Sequence, residues 1–119
     1  MRKRWLLSVD DNTLSRKLIR RMLEGAGFEI DDAASAEEAL VKASKRQYDC
    51  ALVDITLPQI SGTELARHLR QGQHPIGDVI ACTAHHHFGQ TPGAAAFDQI
   101  LVKPFMRADL LETLERLKG

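Results

Sequence analysis

The stretch that most constrains this chain is Cys50-Ala51-Leu52-Val53-Asp54, an unbroken apolar run that ends on an acid. Such a run, with no polar alternation, suits a strand covered on both faces, as in the middle of a parallel sheet. Three other short runs also end on a polar group. Trp5 to Val9 leads into Asp10-Asp11, Val79 to Cys82 into Thr83, and Ile100 to Val102 into Lys103. Glu29 to Ala33 reads as a weaker strand.

Helical patterns fill the gaps. Leu14, Leu18, Met22 and Leu23 recur at helical spacing until Gly25 and Gly27. Ser35 with Glu38, and Ser61 with Glu64, form capping boxes that open helices to about Ser44 and about Arg70. Pro58 breaks the chain after the central run, and Gly72 to Gly77 is a loop. Leu110, Leu111, Leu114 and Leu117 mark a last amphipathic helix, with Asp109 near its positive end. Repeated strand–helix units imply an α/β fold, with a parallel sheet, right-handed crossovers and helices on both faces.

Length and charge narrow the function. The 119 residues suit one domain, large enough to bury a core without disulfides or a structural metal. The 16 basic and 16 acidic residues cancel, which argues against direct nucleic-acid binding. No apolar run nears the roughly 20 residues of a membrane span. The apolar stretch after Met1-Arg2-Lys3-Arg4 is too short for a signal peptide, so a cytoplasmic location is expected. Cys50 and Cys82 sit inside apolar runs and read as buried free thiols. Their expected offset of three residues along neighbouring strands, about 10 Å, is beyond disulfide reach.

In an open sheet of this kind, ligands bind outside the carboxyl ends of the strands. Asp10, Asp11, Asp54, Thr83 and Lys103 all fall at such ends. Crowded carboxylates repel, and a cation among them relieves the cost. Magnesium (Mg2+), hard and oxygen-seeking, is the natural one. An ionised carboxylate can also attack phosphorus and become an aspartyl phosphate. Lys103 then offers a charge to the phosphoryl oxygens and Thr83 a hydroxyl.

These residues resemble a known family. Asp10-Asp11, then Asp54-Ile55-Thr56-Leu57-Pro58 with Gly62, then Thr83-Ala84, then Lys103-Pro104-Phe105 are similar, in order, to the receiver domain of two-component response regulators (the CheY-like superfamily). The likeness covers the whole chain, read as a single receiver domain over 1–119. It implies a flavodoxin-like, doubly wound fold with five parallel strands in the order 2-1-3-4-5. It implies Asp54 as phosphoacceptor, with magnesium held by Asp10, Asp11, Asp54 and the Thr56 backbone carbonyl. Lys103 would pair with the phosphate, and its peptide bond to Pro104 would be cis. Partners would be a histidine kinase or histidine phosphotransfer protein, and a homodimer through the last helix is a further option. Such a domain is no enzyme beyond its own phosphorylation and dephosphorylation. It stands alone or belongs to a larger hybrid histidine kinase.

Two departures from the family pattern matter. Ile100 stands where an aromatic switch residue is usual. Residues 84 to 98 should hold a fourth helix, yet include Gly89, Pro92 and Gly93. Proline inside a helix costs about 3 kcal/mol. The expectation is therefore a loop from Ala84 to about Gln90, then a short or irregular helix through Ala94 to Phe97, with Thr91 as N-cap and Pro92 at its first position. With few large apolar residues, the segment from Ala84 to Gly93 should have low local stability and become ordered on phosphorylation. Thr56 and His85 are placed to modulate the site. His85-His86-His87 reads as a solvated loop, and His68 and His74 as surface residues. Two rivals remain. A phosphohydrolase wants a second acid where Thr56 stands. A degenerate receiver would dock partners without phosphorylation, and Ile100 and the odd fourth helix lend it weight.

Overall fold

Each apolar run forms a strand. Residues 3–117 are described in a computed structural model; Met1 and Arg2 of the basic start, and Lys118 and Gly119, lie outside them. The strands are β1 (Arg4–Val9), β2 (Phe28–Ala33), β3 (Cys50–Asp54), β4 (Asp78–Thr83) and β5 (Gln99–Val102). They form one parallel sheet in the order β2-β1-β3-β4-β5. The helices are α1 (Thr13–Met22), α2 (Ala36–Lys45), α3 (Gly62–Gln71) and α4 (Arg107–Glu115). The expected doubly wound architecture is the observed one.

Alternation along the strands divides the core between two layers. Leu7, Val9, Ala51, Val53, Val79 and Ala81 belong to the cluster that includes α2 and α3 through Ala39, Leu65 and Leu69. Leu6, Cys50, Leu52, Ile80, Cys82 and Leu101 pack with Ile19 and Leu23 and with Leu110 and Leu114 of α4. Ser61 Oγ accepts from the Glu64 amide and Ser35 Oγ from the Glu38 amide, both at 3.1 Å. The returning half of the Ser35 box shifts by one residue: Glu38 Oε2 accepts from the amide of Ala34, not of Ser35.

Three expectations are corrected here. Leu14 and Leu18 do not face the sheet; they are 65% and 47% exposed, because Ile19 and Leu23 carry the buried stripe of this segment. Leu117 lies past the end of α4, although it still packs on the core. Cys82 pairs in register with Asp54 and Cys50 with Asp78, so the cysteines are four residues apart along the strands, not three. Both thiols are free and buried, and burial pushes each up to about 12.

The β4–β5 connection differs most from its reading. Instead of an open loop and then a helix, two 3-10 turns occupy Phe88–Gln90 and Pro92–Ala96. Pro92 opens the second turn behind Thr91, as its missing N–H favours. The Thr91 hydroxyl does not cap that turn; it donates to the Phe88 carbonyl at 2.7 Å. Phe88 is buried, and its ring meets Phe97 edge to face at 5.8 Å between centroids. Burying a ring of this size contributes about 2 kcal/mol. The ring pair seats the segment on the core.

Candidate functional site

The parallel register sets β1, β3, β4 and β5 side by side, so their last residues and those just beyond share one edge. Asp10, Asp11 and Asp54 each offer a carboxylate oxygen within 4.8 Å of the others. Asp10 is buried, Asp54 half-buried and Asp11 exposed. The turns that present the two inner acids are alike. Asp10 Oδ1 accepts from the Asn12 amide at 2.9 Å, and Asp54 Oδ1 from the Thr56 amide at 3.0 Å. An acid whose side chain closes its own turn is fixed locally. Asn12 then caps α1 through the Ser15 amide, and Arg16 holds the Asp10 carbonyl at 2.6 Å.

Lys103 reaches this group from β5. Its Nζ stands 3.2 Å from Asp10 Oδ2 and 3.8 Å from Asp54 Oδ2. The bond from Lys103 to Pro104 is cis, as the resemblance implied. Thr83 is buried beside them; its carbonyl accepts from the Lys103 amide and its Oγ1 from the His85 amide at 3.0 Å. All five residues expected at the strand ends are therefore brought together.

Electrostatics set the acceptor's character. Burial raises Asp54 above the ordinary carboxylate range, and the Asp10 and Asp11 charges add to it; the Thr56 amide and Lys103 oppose without cancelling. Burial pulls Lys103 down, but Asp54 and Asp10 outweigh it, so Lys103 holds its proton more firmly than a free lysine. Three like charges with one lysine leave a net negative pocket of oxygen donors. That donor set suits a hard divalent cation such as magnesium.

The other expected residues lie around this centre. Thr56 is exposed, and its amide serves Asp54. His85, His86 and His87 are exposed on the turn after Thr83. His68 is exposed and His74 half-buried. Ile100 is half-buried on β5, against the core beneath the 3-10 turns. The structure supplies the reason for Gly62 and adds two features that escaped the sequence reading. A Cβ on Gly62 would stand 2.6 Å from the Asp54 carbonyl oxygen and from Ile55 Cα, so only glycine lets α3 start this close to the acceptor. Gln59 adopts φ 71°, a strained conformation for a side chain of its kind, in the same connection. A cavity of about 230 Å³ runs from Asp54 and Lys103 under α1, past Leu18, Met22 and Phe105.

The response regulator receiver domain family matches residues 6–115. This chain belongs to that family. The receiver domain is 32% identical over 116 residues to the transcriptional regulatory protein SrrA of Staphylococcus aureus, covering 94% of this chain and 46% of that protein. It thus spans about half the length of the curated relatives it matches. Its fold superposes on the chemotaxis response regulator CheY4 of Vibrio cholerae with a TM-score of 0.88, at 31% identity over 97% of this chain and 98% of that one. The response regulator TrrA of Thermotoga maritima, solved in complex with magnesium and beryllofluoride, gives a TM-score of 0.86 at 35% identity, over 96% and 98% of the two chains. Receiver domains are signalling modules of two-component systems. Among the described residues no helix is long and apolar enough to cross a membrane.

Proposed function

We propose that this receiver domain, read as one unit over 1–119, takes a phosphoryl group onto Asp54 from a phosphohistidine of a kinase or phosphotransfer partner in the cytoplasm. The observation that carries this is the single edge where the three acids, Thr83 and Lys103 converge. An Asp54 oxygen attacks phosphorus as the phosphorus–nitrogen bond to the partner histidine breaks. The histidine nitrogen leaves with the electron pair and takes up a proton. Asp10, Asp11, Asp54 and the Thr56 carbonyl would hold magnesium, which would supply positive charge to offset that on the phosphoryl oxygens. Lys103 swings from its acids toward those oxygens, and Thr83 donates its hydroxyl to one of them. Thr56 and His85, both exposed at the mouth, limit how water reaches the acyl phosphate.

The outer face of α1 supports a protein donor. Leu14 and Leu18 are exposed there among Lys17 and Arg21, next to the cavity that opens at Asp54. Pairing of two copies through α4 has less support, since its exposed residues include the Arg116–Glu112 ion pair and Glu115. The second reading, a receiver that docks partners without phosphorylation, is favoured by Ile100 in place of an aromatic residue and by the 3-10 turns in place of a fourth helix.

Incubation with acetyl phosphate and magnesium, followed by intact mass, tests the proposal. One phosphoryl increment is expected, lost in Asp54→Ala and on chelation. A wild-type protein that takes up none under these conditions supports the docking-only reading.

A further inference from the structure

A receiver must convert the state of its acid into a change at the surface, and β5 offers no ring for this beside Thr83. Two of the rings in this core layer, which also holds Tyr48 and Trp5, come from the β4–β5 connection. Phe88 and Phe97 are both buried there, planes inclined at 67°. Phe88 is also tied to Thr83 through two successive hydrogen bonds. The His85 amide donates to Thr83 Oγ1 at 3.0 Å, and the Phe88 amide donates to the His85 carbonyl at 3.2 Å. Beyond the ring, the Phe88 carbonyl accepts from both the amide and the hydroxyl of Thr91. Two glycines let this segment lie close to its supports. A Cβ on Gly89 would stand 3.4 Å from Ile100 Cδ1, and one on Gly93 would stand 3.0 Å from Thr63 Oγ1 and 3.8 Å from Phe88 Cε1.

We infer that Phe88 is the positioning residue through which this chain carries the state of Asp54 to its surface, in place of a ring on β5. The inference rests on the reading of Asp54 as acceptor. Thr83 Oγ1 has one proton and two lone pairs. The His85 amide occupies a lone pair and leaves the proton free for a phosphoryl oxygen. Thr83 can therefore turn toward the phosphoryl group without releasing His85. The backbone from Ala84 to Phe88 is drawn along with it. A ring seated edge to face in a close-packed core does not slide continuously; it re-seats in a step. Ile100, short and β-branched, has a restricted side chain and leaves this movement to the ring above it. The surface remodelled is the rim formed by His86, His87, Gln90 and Thr91, all exposed and without charge when the histidines are neutral.

Fluorine NMR on the full chain, with its four phenylalanines fluorinated, tests this directly. Magnesium and beryllofluoride serve as the phosphoryl mimic, and the bound fluorides report occupancy by their own resonances. Phe88→Leu and Phe97→Leu assign the ring signals. On binding, the Phe88 resonance should shift and that of Phe28, at the far edge of the sheet, should not. Thr83→Ser keeps the hydroxyl and should keep the shift. Phe88→Leu should bind the mimic, yet lose the change in amide exchange across residues 85–96 that the wild type shows. A mimic that binds while Phe88 stays still, or an exchange change that persists in Phe88→Leu, overturns the inference and leaves the acceptor reading standing. A mimic that does not bind overturns both.

Discussion

The connections after β3 and after β4 begin alike: Asp54 Oδ1 accepts from the amide of Thr56, and Thr83 Oγ1 from the amide of His85. From there they are held by different means. The first runs from Asp54 to Gly62 with Ile55, Leu57 and Ile60 half-buried against the core, and ends in a close backbone approach. The Gly62 amide returns to the Ile55 carbonyl at 3.2 Å, and a Cβ on Gly62 would meet the Asp54 carbonyl oxygen at 2.6 Å. The second has its own run of turn hydrogen bonds and adds a buried ring pair, Phe88–Phe97, with the Thr91 hydroxyl on the Phe88 carbonyl. The close backbone approach at Gly62 leaves Asp54 little room to move. Side chain against side chain has alternative seatings, so the segment beside Thr83 can change state. The rigid connection suits binding and chemistry, and the ring-anchored one suits switching.

One substitution made in both connections should break this symmetry most clearly. Gly62→Ala forces a Cβ onto two backbone atoms at 2.6 Å and should cost on the order of 3 kcal/mol by chemical denaturation. It should also weaken magnesium binding, because Asp54 must move. Gly93→Ala meets only the Thr63 side chain, which can turn, and should cost less than about 1 kcal/mol with metal affinity unchanged. Equal costs at the two glycines would erase the distinction. Phe88→Ala comes next, at about 2 kcal/mol from lost burial. Magnesium titration of this variant should match the wild type, since the ring touches none of the acids.

Protonation sharpens the contrast with a smaller effect. Asp54 is raised by burial and by its neighbouring acids, so the folded chain binds its proton more tightly than the unfolded chain. Stability in metal-free buffer therefore falls as pH rises from the ordinary carboxylate value through the raised one. Asp54→Asn should melt above the wild type at pH about 7. The gap should close as pH falls to the ordinary carboxylate range. A variant that melts lower at neutral pH would mean that the Lys103 contact outweighs the crowding. The smallest effect concerns the thiols. Cys50 and Cys82, buried and pushed up to about 12, should react with a thiol reagent in the native state only through unfolding. Fast labelling would show that one of them reaches solvent.

What could be read in advance follows the same division. β3 was legible to the residue, because an unbroken apolar run closed by an acid leaves little freedom in where it ends. The edge with Asp10, Asp11, Asp54, Thr83 and Lys103 followed from strand ends alone. The one-residue slip in the cysteine offset arose because the last residue of a strand is not always level with the last residue of its neighbour; Asp54 pairs with Cys82, not with Thr83. Leu14 and Leu18 had helical spacing, but spacing does not say which of two apolar stripes faces the sheet. Phe88 was missed because it stands alone among His, Gly and Gln, with no period to announce burial. Gly62 gave no signal beyond its place in the family motif, since a close backbone approach leaves no pattern along the chain.

The central claim is that Asp54 itself forms an acyl phosphate, and chemical trapping tests it most directly. After acetyl phosphate and magnesium, borohydride reduces an aspartyl phosphate to homoserine, which peptide sequencing by mass spectrometry can locate. Homoserine is expected at position 54, absent when magnesium is chelated. Homoserine at Asp10 or Asp11, or none at all in a protein that has gained a phosphoryl group, would contradict the account.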